Sequence, residues 1–243
     1  MTTFSLSNLD AVAWLEGLPS GSVSLAITDP PYESLEKHRA VGTTTRLKHS
    51  KASSNDWFAI FPNARFDELF TQLYRVLAKN SHLYLFCDPE TMFVAKPAGE
   101  RAGFKFWKPL IWRKDRIGMG YHYRAQYECI LFFEKGKRKL ADLGISDVIS
   151  APRIINGYPA EKPVSVSEVL VQQSSVAGEL VIDPFMGSGS AGVAAVRHAR
   201  AFMGNDLCRE AVEITERRLL EAGATRAAPE PIAAGPGQTE LSL

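Results

Sequence analysis

Cysteine is scarce: Cys87, Cys129 and Cys208 are the only three in 243 residues, an odd number at wide spacing. That argues against a disulfide framework, and no partners stand at the spacing a zinc site needs, so no metal is expected and the three read as small buried hydrophobes. No run of about 18 or more apolar residues occurs, as a membrane-spanning helix would require. The opening "MTTFSLSNLDAVAW" lacks the basic start and apolar core of a signal segment, and a cytoplasmic protein is expected. An excess of one charge is missing as well. The 28 Lys/Arg and 27 Asp/Glu leave +1, which excludes a uniformly basic coat but permits local basic surfaces. Gly-Lys-Ser/Thr follows no glycine turn, which excludes a Walker phosphate loop.

What is present is a chain 45% hydrophobic, long enough to bury one sizeable core. Strand-like runs ("FSLSNLD", "SVSLAIT", "SHLYLFC", "KFWKPLIW", "QYECILFFE", "ELVIDPF", "AFMGND") alternate with helical ones. In "FDELFTQLYRVLAK" the apolar Phe66, Leu69, Phe70, Leu73 and Leu77 fall at helical spacing. Such alternation argues for an α/β fold: a mostly parallel sheet with helices on both faces, as one domain over residues 1–222.

Three segments stand outside that pattern. Residues 33–57 are polar, basic and Ser/Thr-rich, too long for a simple connection, and residues 113–124 ("RKDRIGMGYHYR") interleave aromatic and basic groups. Residues 223–243, rich in Ala, Pro and Gly, are expected to form a flexible tail. Basic residues concentrate from Arg101 to Arg116, six Lys/Arg against one Asp, and again in "EKGKRK". Such runs either decorate a solvated face or meet phosphates.

"VIDPFMGSGSAG" places Gly187, Gly189 and Gly192 after a β-rich strand and at the start of a helix. Glycines there allow a tight turn and close approach of backbone to ligand. Asp206 follows at the end of the next strand, where a carboxylate can accept both hydroxyls of a ribose. The ligand is therefore a nucleoside, either a dinucleotide or S-adenosylmethionine. Only one strand and one helix remain after the turn, too little for the second half of a dinucleotide fold. Asp183 can face the ammonium of an amino-acid moiety, which dinucleotides lack.

"TDPPY", residues 28–32, ends another strand. By itself it is a rigid strand terminator. At the carboxyl end of a strand, where α/β sheets bind ligands, it also offers an acid, a fixed carbonyl and a ring.

Together the two motifs resemble the amino-group DNA methyltransferases, which modify adenine N6 or cytosine N4. Having the catalytic motif first and the glycine turn late resembles their beta class, a circularly permuted Rossmann-like class I methyltransferase fold with a seven-stranded sheet. The resemblance extends through "YRVLAKNSHLYLF", "IWRK", "YECILFFEKGKRK" and "PAEKPVSVSEVLV". It implies S-adenosylmethionine as cofactor, with Asp10, Ala11, Asp29, Lys162, Ser165, Asp183, Pro184, Phe185, Gly187, Ser188, Gly189, Asp206 and Leu207 around it. The catalytic segment would be Asp29, Pro30, Pro31 and Tyr32.

The chemistry agrees with this resemblance. An exocyclic amine has its lone pair delocalised into the ring, so a catalyst must localise and aim it. The Asp29 carboxylate and Pro30 carbonyl can each accept an N–H, and Tyr32 can stack on the base. A base inside a duplex must be flipped out to reach them. Asp in the motif's first position favours adenine over cytosine. DNA is the expected partner, with Arg39, Arg46, Lys48, Lys51, Arg113, Lys114, Arg116, Tyr121, His122, Tyr123, Arg124, Lys137, Arg138 and Lys139 as candidate contacts. Residues 140–160 are short and almost uncharged where the beta class carries a recognition region, so specificity would lie in residues 33–57, in "RIGMGYHYR" or in a second subunit, as in a homodimer, or be low altogether. The terminal "QTELSL" (Gln238–Leu243) resembles peptides that dock on the bacterial replication sliding clamp.

Overall fold

The computed structural model describes residues 2–33, 59–118, 122–155, 157, 158 and 160–227. Strand β1 (Thr3–Ser7) leads into α1 (Ala11–Glu16), and β2 (Val23–Thr28) ends at the Asp-Pro-Pro-Tyr segment. After a 3-10 turn (Asn63–Arg65) come α2 (Phe66–Val76), β3 (Leu77–Cys87), α3 (Pro89–Ala102), β4 (Lys105–Arg113) and β5 (Tyr127–Lys135). Then follow β6 (Val148–Ser150), α4 (Val164–Ser174), β7 (Leu180–Asp183), α5 (Ser190–Arg197), β8 (Ala201–Asn205), α6 (Arg209–Glu221) and β9 (Thr225–Arg226).

The strands form one sheet in the order β6-β4-β5-β3-β2-β7-β8-β1-β9. Every neighbouring pair is parallel except those made by β5, which runs antiparallel to β3 and to β4. Alternation along the strands feeds two cores. Leu83, Leu85 and Cys87 of β3, with Cys129, Leu131 and Phe133 of β5, pack with α1, α2 and α3 on one face. Tyr84 and Phe86, with Ile130 and Phe132, pack with residues of α4, α5 and α6 on the other. Side chains of successive strand residues point to opposite faces, so a sheet buried on both sides needs apolar residues at both parities.

The expected α/β architecture is present, with three differences. The sheet has nine described strands rather than seven, because β6 and β9 add short edges too brief to show as apolar runs. The folded body runs beyond residue 222: Ala224 is buried, β9 pairs with β1, and the Ala227 N–H donates to Phe4 O at 2.8 Å. The helix expected to reach Lys79 stops at Val76, because Leu77 turns extended and pairs with Val23. No helix among the described residues is long and apolar enough to cross a membrane.

The connectivity positions the site. From β2 the chain passes through α2 to β3 on one side; from β7 it passes through α5 to β8 on the other. β2 and β7 are neighbours, with Leu25 paired to Val181 and Ala26 to Ile182. The strand order therefore reverses between them, and a crevice opens at their carboxyl ends, the general ligand position in open α/β sheets.

Candidate active site

Both motifs leave the sheet into that crevice. Asp29, Pro30, Pro31 and Tyr32 follow β2, Asp183 ends β7, and Pro184, Phe185, Gly187 and Ser188 follow it; all line one cavity of about 710 Å³. Asp10, Ala11, Lys162, Asp206 and Leu207 line it too. Residues far apart in the chain are brought together because β1, β2, β7 and β8 all end at the same edge.

The glycine turn is shaped by its hydrogen bonds. Gly187, at φ +51°, donates its N–H to Asp206 Oδ2 at 2.8 Å, and Cys208 N–H donates to Asp206 Oδ1 at 2.8 Å. Each Asp206 oxygen keeps lone-pair capacity facing the cavity. A Cβ on Gly187 would stand 3.4 Å from the Tyr158 ring, so bare backbone forms this part of the wall. Gly189, at φ +79°, does not line the cavity; it starts α5 and packs on Thr215, where a Cβ would meet Cγ2 at 2.5 Å.

Asp183 is buried and accepts the Phe185 N–H at 3.0 Å. Burial pushes its carboxyl up to about 8, against the pull of that N–H, with the Asp29 and Asp206 carboxylates adding to the rise. A buried acid lining a cavity, with no Lys or Arg paired to it among the described residues, suits a cationic amine.

Asp29 is held by two internal donors. The Tyr32 hydroxyl donates to Oδ1 and the Lys162 ammonium to Oδ2. Burial pushes the Asp29 carboxyl above its ordinary range, against the nearby Lys162 cation. Lys162 stands before α4, with its carbonyl accepting the Ser190 hydroxyl at 2.7 Å. Its Nζ also lies 3.4 Å from Glu128 Oε2, and Glu128 Oε1 accepts from Lys114 Nζ at 2.6 Å. Burial disfavours the Glu128 charge, yet Lys162 and Lys114 hold its carboxyl below the usual range.

Besides Gly189, two expected site residues and one basic run are placed differently. Ser165 is exposed on α4: the helix buries Val166, Ser167, Leu170 and Val171, so Ser165 falls on the outer phase, and Ser167 reaches the cavity instead. Asp10 does line the cavity, but as an ion pair, its carboxylate accepting from Arg65 at 2.7 and 3.0 Å and from the Val12 and Ala13 amides that it caps. The Arg65 hydrogen bond is the main reason its pKa is lowered.

The third is the basic run. Residues 137–139 follow the far end of β5, since Cys129 pairs with Cys87 at the site and Lys135 pairs with Ser81 at the opposite edge. At the rise of a strand that separates them from the cavity by roughly 25 Å. Arg138 is spent on Glu179 at 2.6 Å, and Lys135 donates to the Tyr74 and Leu77 carbonyls. Lys137, Arg138 and Lys139 are thus not brought to the site. Arg113, Lys114 and Arg116 leave β4 at the site edge, and His122, Tyr123 and Arg124 are exposed just before β5. Arg39, Arg46, Lys48, Lys51, Tyr121 and Gln238–Leu243 lie outside the described residues. No group of His, Cys, Asp and Glu that could hold a metal occurs among the described residues.

Arg65, Glu128 and Tyr158 were missed from the sequence. Glu128 is the second residue of β5, an acid ahead of the apolar run Cys129–Phe133, and that break in the pattern is its signal in the sequence.

Asp29, Tyr32, Asp183 and Asp206 thus line one crevice at the switch point of the sheet. Residues 23–217 match the model of the N6/N4 DNA methylases, and the chain belongs to that DNA methylase family. It is 27% identical to YubD of Escherichia coli (strain K12) over 213 residues, covering 86% of this chain and 87% of the relative. The DNA adenine methyltransferase YhdJ of the same organism is 25% identical over 251 residues, 86% of this chain and 80% of the relative. In fold the chain resembles TTHA0409 of Thermus thermophilus, solved with S-adenosyl-L-methionine: TM-score 0.67, 20% identity, 91% of this chain and 94% of that one.

Proposed function

We propose that this DNA methylase uses S-adenosylmethionine to methylate N6 of a flipped-out adenine. The observation that carries the reading is the placement of Asp29 and Asp183 at the ends of adjacent strands, in one cavity. One acid suits an amine substrate, the other the ammonium of a cofactor, and the distance between their strands is that of hydrogen-bonded neighbours. YhdJ, an adenine methyltransferase, and the cofactor-bound TTHA0409 support the same assignment.

Asp183 would take the cofactor's ammonium, Asp206 its ribose hydroxyls, and the backbone at Gly187 and Ser188 its close approach. When bound, the cofactor supplies an electrophilic methyl on a sulfonium centre. Asp29 and the Pro30 carbonyl each accept one N–H of the target amine, which turns the nitrogen lone pair out of the ring plane. Tyr32 supplies a stacking face for the base. Asp29 is also placed to receive the proton that the nitrogen sheds once it becomes cationic. None of the three cysteines has a part in such a direct transfer.

Arg113, Arg116, His122, Tyr123 and Arg124 form the phosphate- and base-facing rim in this reading, with residues 33–57, nearly all outside the described residues, as the further segment that selects sequence. A homodimer would supply the second set of contacts for a duplex. Docking of Gln238–Leu243 on a sliding clamp is tested separately by deleting those six residues and measuring clamp binding.

The test is to expose unmodified DNA to the protein and cofactor, then digest to nucleosides for mass spectrometry and sequence single molecules. N6-methyladenine at a defined site is expected. N4-methylcytosine, which the same family also makes, would move the target to cytosine, and no modified base would overturn the reading.

A further inference from the structure

Each Asp29 oxygen accepts one internal donor, so an incoming amine shares an oxygen with that donor or displaces it, and while Lys162 stays in place the Asp29 charge is neutralised. Lys162 is the harder donor to displace, because its ammonium is almost fully buried, at 11% side-chain exposure. A released ammonium in such surroundings needs another anion at once. One is in place: Glu128 Oε2 is buried, has no hydrogen-bond partner among the described residues, and faces the same Nζ at 3.4 Å. The other oxygen, Oε1, is tied to Lys114 at 2.6 Å, which fixes the carboxylate's direction. The backbone of Glu128 is itself set by the β4–β5 ladder, opposite Trp112.

We propose that Glu128 is a positioning residue that receives the Lys162 ammonium when the target amine engages Asp29. The proposal rests on the function above and deepens it. In the resting arrangement Lys162 neutralises Asp29 and keeps it from being an unpaired buried charge. With the base in place, a small shift of Nζ transfers that ion pair to Glu128 and leaves the full Asp29 charge facing the amine. A carboxylate without a competing ammonium polarises N–H bonds more strongly, so the exchange adds to the nucleophilicity of the nitrogen. Lys114 then serves to keep Glu128 ionised and aimed while it waits.

The test uses the full chain, cofactor and a duplex carrying the modified site, comparing Glu128→Gln, Lys162→Met and the double variant in single-turnover methyl transfer. Glu128→Gln should slow transfer by about ten- to a hundredfold at saturating DNA and cofactor, with cofactor Kd changed less than about twofold. In the Lys162→Met background the same substitution should cost less than about threefold, since the ammonium it acts through is gone. Wild-type transfer by Glu128→Gln, or effects of the two substitutions that simply multiply, would overturn the role. Glu128→Asp, which keeps the charge but shortens its reach, covers a misfolded Glu128→Gln: a slowed rate is expected and an unchanged one overturns the proposal. If wild-type protein methylates no DNA, the function itself fails; if it does and Glu128→Gln matches it, only the role of Glu128 fails.

Discussion

The Tyr32 hydroxyl donates to Asp29 Oδ1, so the ring proposed to stack on a base also shares the acceptor proposed for its amine. In that reading, substrate binding rearranges the hydrogen bonds at Asp29.

Separating those two roles is straightforward. Tyr32→Phe keeps the ring and removes the competing donor, and should alter transfer by no more than about threefold. Tyr32→Ala loses the stacking face and should cost about ten- to a hundredfold. Asp29→Ala should lose at least about a hundredfold in rate while still binding cofactor. Equilibrium dialysis for binding and radiolabelled methyl incorporation for rate would check all three, and appreciable transfer by Asp29→Ala would remove its assigned role.

Cofactor affinity should rise between pH 6 and pH 8. Burial holds the Asp183 carboxyl up to about 8, so below that pH the acid is mostly protonated and cannot pair with an ammonium. Each pH unit in that range should strengthen binding by up to about tenfold, since one proton leaves on binding. Asp183→Asn should bind weakly with a flat profile; a variant profile as steep as the wild type would assign the effect elsewhere. In the empty protein the sign is opposite. The folded state holds this proton more tightly than the unfolded one, so the stability associated with Asp183 is present at low pH and declines as pH rises through about 8.

Acid should destabilise the protein through His82. This ring is buried at 1% exposure, with Nδ1 at 2.7 Å from Ser174 Oγ, and burial lowers its pKa to about 4, against the nearby Glu134. The unfolded state therefore binds the proton first, and stability is lost as pH falls from about 6.5 to about 4, by up to about 3 kcal/mol. Urea unfolding of wild type and His82→Gln across that window should show a smaller decline for the variant.

Gly189→Ala should lower stability by about 1–3 kcal/mol, or several degrees in Tm, because a side chain at positive φ would also strike Thr215. Cofactor affinity should fall with it, since the same turn carries Gly187. Calorimetry and dialysis on one preparation would decide.

DNA affinity should distinguish the two basic runs. Arg116→Ala should weaken binding and reduce the salt slope by about one, as for a lost phosphate contact. Lys137→Ala and Lys139→Ala should leave both unchanged. Filter binding over a salt series would check it, and an effect at Lys137 equal to that at Arg116 would place DNA on the wrong edge.

Local chemistry was legible in the sequence, and pairing over distance was not. Asp29, Asp183 and Gly187 announce themselves because each sits where a strand ends in Pro or Gly, and Asp206 because it follows the next strand after the glycine turn. Arg65 neutralises Asp10 from 55 residues away, and nothing local to either shows it. The basic residues after β5 looked like phosphate contacts until the reversed direction of that strand carried them to the opposite edge. That same reversal brings Glu128 to the cavity, at the start of a strand among residues that follow strand ends. Ser165 shows a smaller limit: helical phase, wrong by two residues, exchanges the lining Ser167 for an exposed side chain.

The pairing of β1 with β8 and β9 has a consequence for folding. β1 precedes the other described strands in sequence, yet its partners are the last two of them, and Asn8 reaches Asp206 across 198 residues. β2 to β5 pair among themselves at shorter separations. Contacts far apart in sequence are slow to find. The edge of the sheet that carries Asp206 is therefore expected to close after its middle has formed.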